Sequence, residues 1–146
     1  MIFKATLEQL PLPLPLLREM QEDRRTLGRV NPAHFFATWR GLLESDTGVM
    51  FLSLEDNVAD GIISGTLSLD FVTGVKVFQM HTAYAKRGHT KPAMPFVMLR
   101  RTERWAREHG ARAIFCGAVA NDDRGTVGFL ERSGYKPSDQ AFVKGL

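Results

Sequence analysis

Residues 86–91, Lys86-Arg87-Gly88-His89-Thr90-Lys91, set basic side chains around one glycine. They lie between an alternating stretch that ends near Tyr84 and a helical pattern that opens at Pro92. A strand that runs through such a loop into a helix N-terminus is a place to hold phosphate. The first-turn N–H groups have no partner inside the helix, and the helix dipole favours negative charge there. Arg and Lys add charge-assisted hydrogen bonds to phosphate oxygens. The other reading of these residues is a solvated basic turn. The stretch before the loop, residues 75–84, carries no Asp or Glu, and its polar candidates are Gln79, His81 and Tyr84. Imidazole titrates near neutral pH, so His81 is a candidate general base. Its alternative is a partly buried strand histidine. Asp70, at the end of the preceding alternating stretch, is either a base or a turn residue.

Other chemistries find little support. The four histidines are far apart and lack metal-ligand spacing, so no metal site is expected. No Ser or Cys nucleophile signature occurs. The single cysteine, Cys116, cannot form an internal disulfide, and its apolar setting predicts a buried thiol. The net charge is +3, and the basic residues fall in separate groups: Arg24-Arg25 with Arg29, Lys86-Arg87 with Lys91, and Arg100-Arg101. Nucleic-acid binders interleave basic residues with aromatics or carry a known module, so a nucleic-acid partner is not expected. No apolar run reaches the length of a membrane helix, and the N-terminus has no signal-peptide pattern. The expected location is therefore the cytoplasm, or a host cytoplasm or virion for a viral protein.

The elements that must position these residues are legible in outline. The 146 residues, 44% hydrophobic with ten Phe and two Trp, suit one domain over 1–146 with an apolar core. Ile2 to Thr6 reads as a first strand. Pro11, Pro13 and Pro15 break the next stretch, and a helix is expected from near Pro15 to about Thr26, with Leu16, Leu17 and Met20 inward. A second helix opens with Asn31 as N-cap and Pro32 at the first helical position, its apolar face formed by Phe35, Phe36, Trp39, Leu42 and Leu43. Strands are expected over 49–54, 63–71 and 75–84; the second alternates Ile63, Gly65, Leu67, Leu69 and Phe71 with polar residues, which predicts one buried face. A helix over 92–108 would bury Val97, Met98, Thr102, Trp105 and Ala106, pair Glu103 with Arg107, and end at Gly110. Residues 113–119 form a continuous apolar run, as in a strand buried on both faces. A last helix over 125–133 ends at Gly134, and one or two closing strands are expected over 135–143.

This order resembles the GNAT superfamily of acyl-CoA-dependent N-acetyltransferases over essentially the whole chain. Ile63-Ser64-Gly65 followed by Leu67 and Leu69 is similar to that family's third strand. Arg87-Gly88 falls where the family's Arg/Gln-x-x-Gly-x-Gly/Ala loop begins, and Asn121 matches an Asn that often follows its fifth strand. Residues 129–135, Phe-Leu-Glu-Arg-Ser-Gly-Tyr, look like the late helix ending in Gly plus an aromatic. The resemblance implies a mixed α/β, mostly antiparallel sheet flanked by helices, with a splayed parallel strand pair. It implies acetyl-CoA as co-substrate and an amine acceptor, small molecule or protein, that attacks the thioester directly. Met80, Thr82, Arg87, Gly88, His89, Thr90, Lys91 and Asn121 would bind the cofactor, and His81 and Tyr84 would be catalytic. A homodimer or larger assembly is compatible with it.

The sequence also departs from the family pattern. Aligned on Arg87-Gly88, Thr90 and Pro92 replace loop glycines, and Pro92 has no N–H to donate. Leu130 stands where many members place a Tyr that protonates the leaving thiolate; Tyr84 or Tyr135 would have to substitute. These departures leave a second reading, a GNAT-like module that has lost catalysis and serves in a phage particle or regulatory complex.

Overall fold

The computed structural model describes residues 1–23, 28–117, 125–139 and 141–146. Strand β1 (Ile2–Lys4) leads through a 3-10 turn to helices α1 (Leu14–Asp23) and α2 (Pro32–Glu44). Strands β2 (Gly48–Glu55), β3 (Val58–Leu69) and β4 (Lys76–Ala85) form a meander, followed by α3 (Met94–Glu108), β5 (Ile114–Phe115) and α4 (Thr126–Arg132). The sheet order is β1-β2-β3-β4-β5. Every pair is antiparallel except β4 with β5, which run parallel and are joined through α3.

The sheet separates two cores, and the pleat explains the division. Successive strand residues point to opposite faces. On β2, Met50 and Leu52 therefore join the cluster under α1 and α2, with Leu16, Leu17 and Trp39. Val49 and Phe51 join the cluster under α3, with Met98, Leu99 and Trp105. Local signals place the helices. Asn31 caps α2, its Oδ1 accepting from the His34 amide at 3.1 Å. Gly110 and Gly134, at φ +86° and +92°, follow α3 and α4 in the left-handed conformation that glycine adopts without steric cost. Gln21 ties the end of α1 to the following segment: its side chain donates to the Gly28 carbonyl and accepts from the Val30 amide.

Several expectations are corrected. β3 ends at Leu69, so Phe71 lies in the turn and is fully exposed. Its first half is buried on both faces, with Ile62 and Ser64 as enclosed as Ile63, because α1 covers the second face. α3 begins at Met94 and not at Pro92; the Met94 amide donates to the Lys91 carbonyl and closes a turn first. Its buried stripe is Met94, Met98, Leu99, Thr102, Trp105 and Ala106, while Val97 is exposed. Glu103 pairs with Arg100 at 2.8 Å, and not with Arg107, and also accepts from the Tyr135 hydroxyl. The described part of the run that reads as a doubly buried strand, residues 113–117, lies at the sheet margin: Ile114 and Cys116 are half-buried and Phe115 is exposed. Among the described residues, none of 135–143 forms a strand, and Phe142 and Val143 are exposed.

Gly65 is held by a close approach. A Cβ there would lie 2.4 Å from the Gln79 carbonyl oxygen and 2.4 Å from the Phe78 ring. Phe78 is fully buried, so neither neighbour can withdraw cheaply. Gly65→Ala is expected to cost about 1–3 kcal/mol, read by denaturant unfolding. A variant as stable as the parent would show that this packing is not made.

Candidate functional site

The site is built on an irregularity in β4. In its first half Phe78 and Met80, even-numbered, point to the α3 core; in its second half Ala83 and Ala85, odd-numbered, do so, and Tyr84 joins the α1–α2 core. A regular strand cannot change parity, so one extra residue must intervene. The pairing shows which one. Ser64 faces Thr82 and Gly65 faces Met80, so His81 is the unpaired residue of a β-bulge. Its Nε2 lies 2.8 Å from the Thr66 hydroxyl. Although the residue as a whole is exposed, partial burial of the ring pushes the His81 pKa below its ordinary value. His81 is therefore neutral near pH 7 and able to accept a proton.

The bulge lies where the parallel pair ends. β5 pairs with β4 only at Phe78 and Gln79. β4 runs on from Met80 to Ala85 without β5 beside it, about 17 Å of strand. A cavity of about 380 Å³ lies along this section. Met80, Ala83, Met98, Phe129 and Leu130 make its walls largely apolar, and Arg132 and His89 contribute polar groups. His89 reaches it from the 86–91 loop, its Nδ1 buried without a hydrogen-bond partner among the described residues. In the same loop Gly88 adopts φ +70°, and the amides of Gly88, Thr90 and Lys91 make no hydrogen bond among the described residues. An elongated ligand with an apolar arm and an anionic end suits this combination.

The basic side chains of the loop are occupied differently. The Arg87 guanidinium pairs with Asp23, and its amide donates to Glu19 Oε1 at 2.9 Å. Lys91 turns inward: its ammonium lies 2.9 Å from Asp60 Oδ2 and donates to the Leu54 carbonyl at 2.7 Å. Thr90 donates to Glu55 Oε1 at 2.9 Å. Burial alone would raise the Asp60 carboxyl, which is 2% exposed, but Ser53 and Lys91 beside it outweigh burial and hold it below its usual range. The Tyr84 hydroxyl donates to Asp23 and, at 3.1 Å, to Glu19. That gives Tyr84 a part in docking α1 against the loop in place of the expected proton donation. Tyr135 is also committed: burial, then the nearby Glu103 carboxylate, push its hydroxyl pKa well up. Asp70 takes the turn role, its Oδ1 accepting from the Val72 and Thr73 amides and the Thr73 hydroxyl, which hold its carboxyl below the usual range.

The structure thus brings Met80 and His89 to the cavity wall, with Gly88 in the same loop, and His81 to the bulge. Thr82 follows the bulge opposite Ser64. Asn121 lies outside the described residues. Cys116, expected in the core, lines the cavity, and burial raises its thiol pKa. Among the described residues no group of three His, Cys, Asp or Glu side chains could hold a metal ion. Sequence reasoning missed Glu19, Asp23, Glu55 and Asp60. Asp60 carried a signal: a carboxylate immediately before the apolar Gly61-Ile62-Ile63 run, within a strand, needs a partner.

Comparison with known proteins bears on the fold. No protein-family model matches the sequence, and no curated protein matches it. Solved structures do match over nearly their whole length. An aminoglycoside acetyltransferase from an uncultured soil metagenomic sample superposes with a TM-score of 0.78 at 16% identity, covering 100% of this chain and 97% of that one. A predicted acetyltransferase from Clostridium acetobutylicum, solved with acetyl-CoA, gives 0.78 at 13% identity, covering 99% and 95%. Glucosamine-6-phosphate N-acetyltransferase from Arabidopsis thaliana gives 0.77 at 12% identity, covering 99% and 97%. The chain therefore has the GNAT acetyltransferase fold.

Because burial disfavours its charged form, His81 is expected to titrate below 6.5 in an NMR pH series. A midpoint at or above 6.5 would contradict the partly enclosed setting at the bulge.

Proposed function

We propose that this protein is an N-acyltransferase that moves an acetyl group from acetyl-CoA to an amine acceptor. The observation that carries the reading is the cavity along the section of β4 beyond its pairing with β5, lined by Met80 and Ala83 of that strand and by His89 of the 86–91 loop. In this reading the pantetheine arm lies against Met80, Thr82 and Ala83, and the pyrophosphate meets the amides of Gly88, Thr90 and Lys91 together with His89. Thr90 and Pro92 cost the loop two glycines, and Pro92 also a donor, yet three free amides remain. The acceptor, a small molecule or a protein amine, approaches from the side of α1, α2 and the meander.

Neutral His81 takes a proton from the acceptor ammonium, directly or through a water. The amine nitrogen then bonds to the acyl carbon and gives up its second proton to solvent as the carbon–sulfur bond breaks, and the sulfur leaves as thiolate. Thiolate is a fair leaving group near neutral pH, so the acid lost at Leu130 is not essential. Strand amides at the bulge polarise the thioester carbonyl.

Calorimetry with acetyl-CoA tests the binding half: saturable binding is expected, and Ala83→Phe, which fills the cavity, should abolish it. Thiol release with a panel of primary amines tests the chemistry. The rate should rise with pH through a midpoint below 6.5 as His81 loses its proton, and His81→Gln should lower it by about 100-fold or more without weakening acetyl-CoA binding. Binding without turnover for any amine would favour the non-catalytic module; absence of binding would overturn the reading.

A further inference from the structure

The loop at the end of β4 is held at both ends by one residue. The Lys86 amide donates to the backbone carbonyl of Asp60 at 2.8 Å. Five residues later the Lys91 ammonium lies 2.9 Å from the Asp60 carboxylate. Asp60 is 2% exposed and lies in β3 between Ala59 and Gly61, which pair with Leu54 and Ser53 of β2. Lys91 is further tied to β2 through the Leu54 carbonyl and, at 3.4 Å, the Ser53 hydroxyl. Between these anchors lie Gly88 and Thr90, whose amides, with that of Lys91, have no hydrogen-bond partner among the described residues. Where the chain turns with φ +70° at Gly88, nothing lies within 4 Å of a Cβ position, so packing of that residue does not hold the turn.

We propose that Asp60 is a positioning residue for anion binding, clamping the first and last residues of the 86–91 loop so that its free amides converge outward. The inference rests on the acetyl-CoA reading above and assigns the pyrophosphate end of that site. It gives Lys91 a role unlike that of a phosphate ligand: its charge faces inward, and it serves the anion by fixing its own amide and that of Thr90. Glu55, which accepts from Thr90, supports the same end. A preorganised set of N–H donors binds an anion without the ordering cost that a mobile loop would incur.

The proposal separates two parts of one ligand. Acetyl-CoA carries the pyrophosphate; S-acetylpantetheine carries the same thioester arm without it. Asp60→Asn keeps the size and the backbone carbonyl but removes the charge that holds Lys91. Its affinity for acetyl-CoA, measured by calorimetry, should fall about tenfold or more, whereas S-acetylpantetheine affinity, measured by NMR titration, should change less than about twofold. Lys91→Met should have the same signature and Lys91→Arg, which keeps the charge, should retain most of the acetyl-CoA affinity. In the ligand-free protein, Asp60→Asn should speed amide hydrogen exchange at Lys86 and Met94, whose amides are hydrogen-bonded at the two ends of the loop, and leave β1 and β2 unchanged. Equal loss for both ligands, or exchange accelerated throughout the sheet, would mean general loosening and would overturn the proposal, as would unchanged acetyl-CoA affinity. Wild-type protein that binds S-acetylpantetheine but gains nothing from the pyrophosphate would overturn it while leaving the arm-binding reading in place. Failure to bind either ligand would overturn the acetyl-CoA reading, and the assignment of the pyrophosphate end with it.

Discussion

One extra residue in β4 sets the geometry on which the rest of the structure depends. Were His81 paired regularly instead of bulged out, the strand would keep the parity of Phe78 and Met80, and Tyr84 would face the α3 core in place of the α1–α2 core. A bulge bends its strand and increases the local twist. Here it falls two residues beyond the last position paired with β5 and opposite the Ser64–Gly65 step of β3. The cavity follows that section of β4. Gly65 accommodates the local crowding because the Phe78 ring and the Gln79 carbonyl occupy the space a side chain would need.

The two ends of the site are fixed by different chemistry. At the bulge, one hydroxyl, Thr66, meets the imidazole. At the loop, carboxylates from three elements converge: Glu19 and Asp23 of α1 on Tyr84 and Arg87, Glu55 of β2 on Thr90, and Asp60 of β3 on Lys91. The basic character that singles the loop out in the sequence is thus largely answered from within. Of the loop, His89 is the residue that lines the cavity. An anion site made of amides would tolerate exchange of the side chains around it.

The fold was legible because its signals are local. The Asn31 cap, the glycines after α3 and α4, and the alternation of β3 each act within a few residues, and together they order the elements correctly. The margins were less legible. Residues 113–119 and 135–143 are apolar enough for strands, but burial depends on what lies beside them, and Phe115, Phe142 and Val143 remain exposed. For the site, type and position drew attention to His81, while the bulge that distinguishes it from its neighbours arises from pairing between strands and leaves no mark in one strand's sequence. The Arg87–Asp23 and Lys91–Asp60 contacts join residues far apart in the chain, so spacing could not reveal that those charges were already paired.

The central claim is that an acyl-CoA arm lies along β4 beyond its pairing with β5. Backbone amide chemical-shift mapping with saturating acetyl-CoA tests it most directly. The largest changes are expected at Met80, Thr82, Gly88 and Thr90, with β1 and the α2 face undisturbed. Shifts that avoid β4 and the 86–91 loop, or that gather on another face of the sheet, would contradict it.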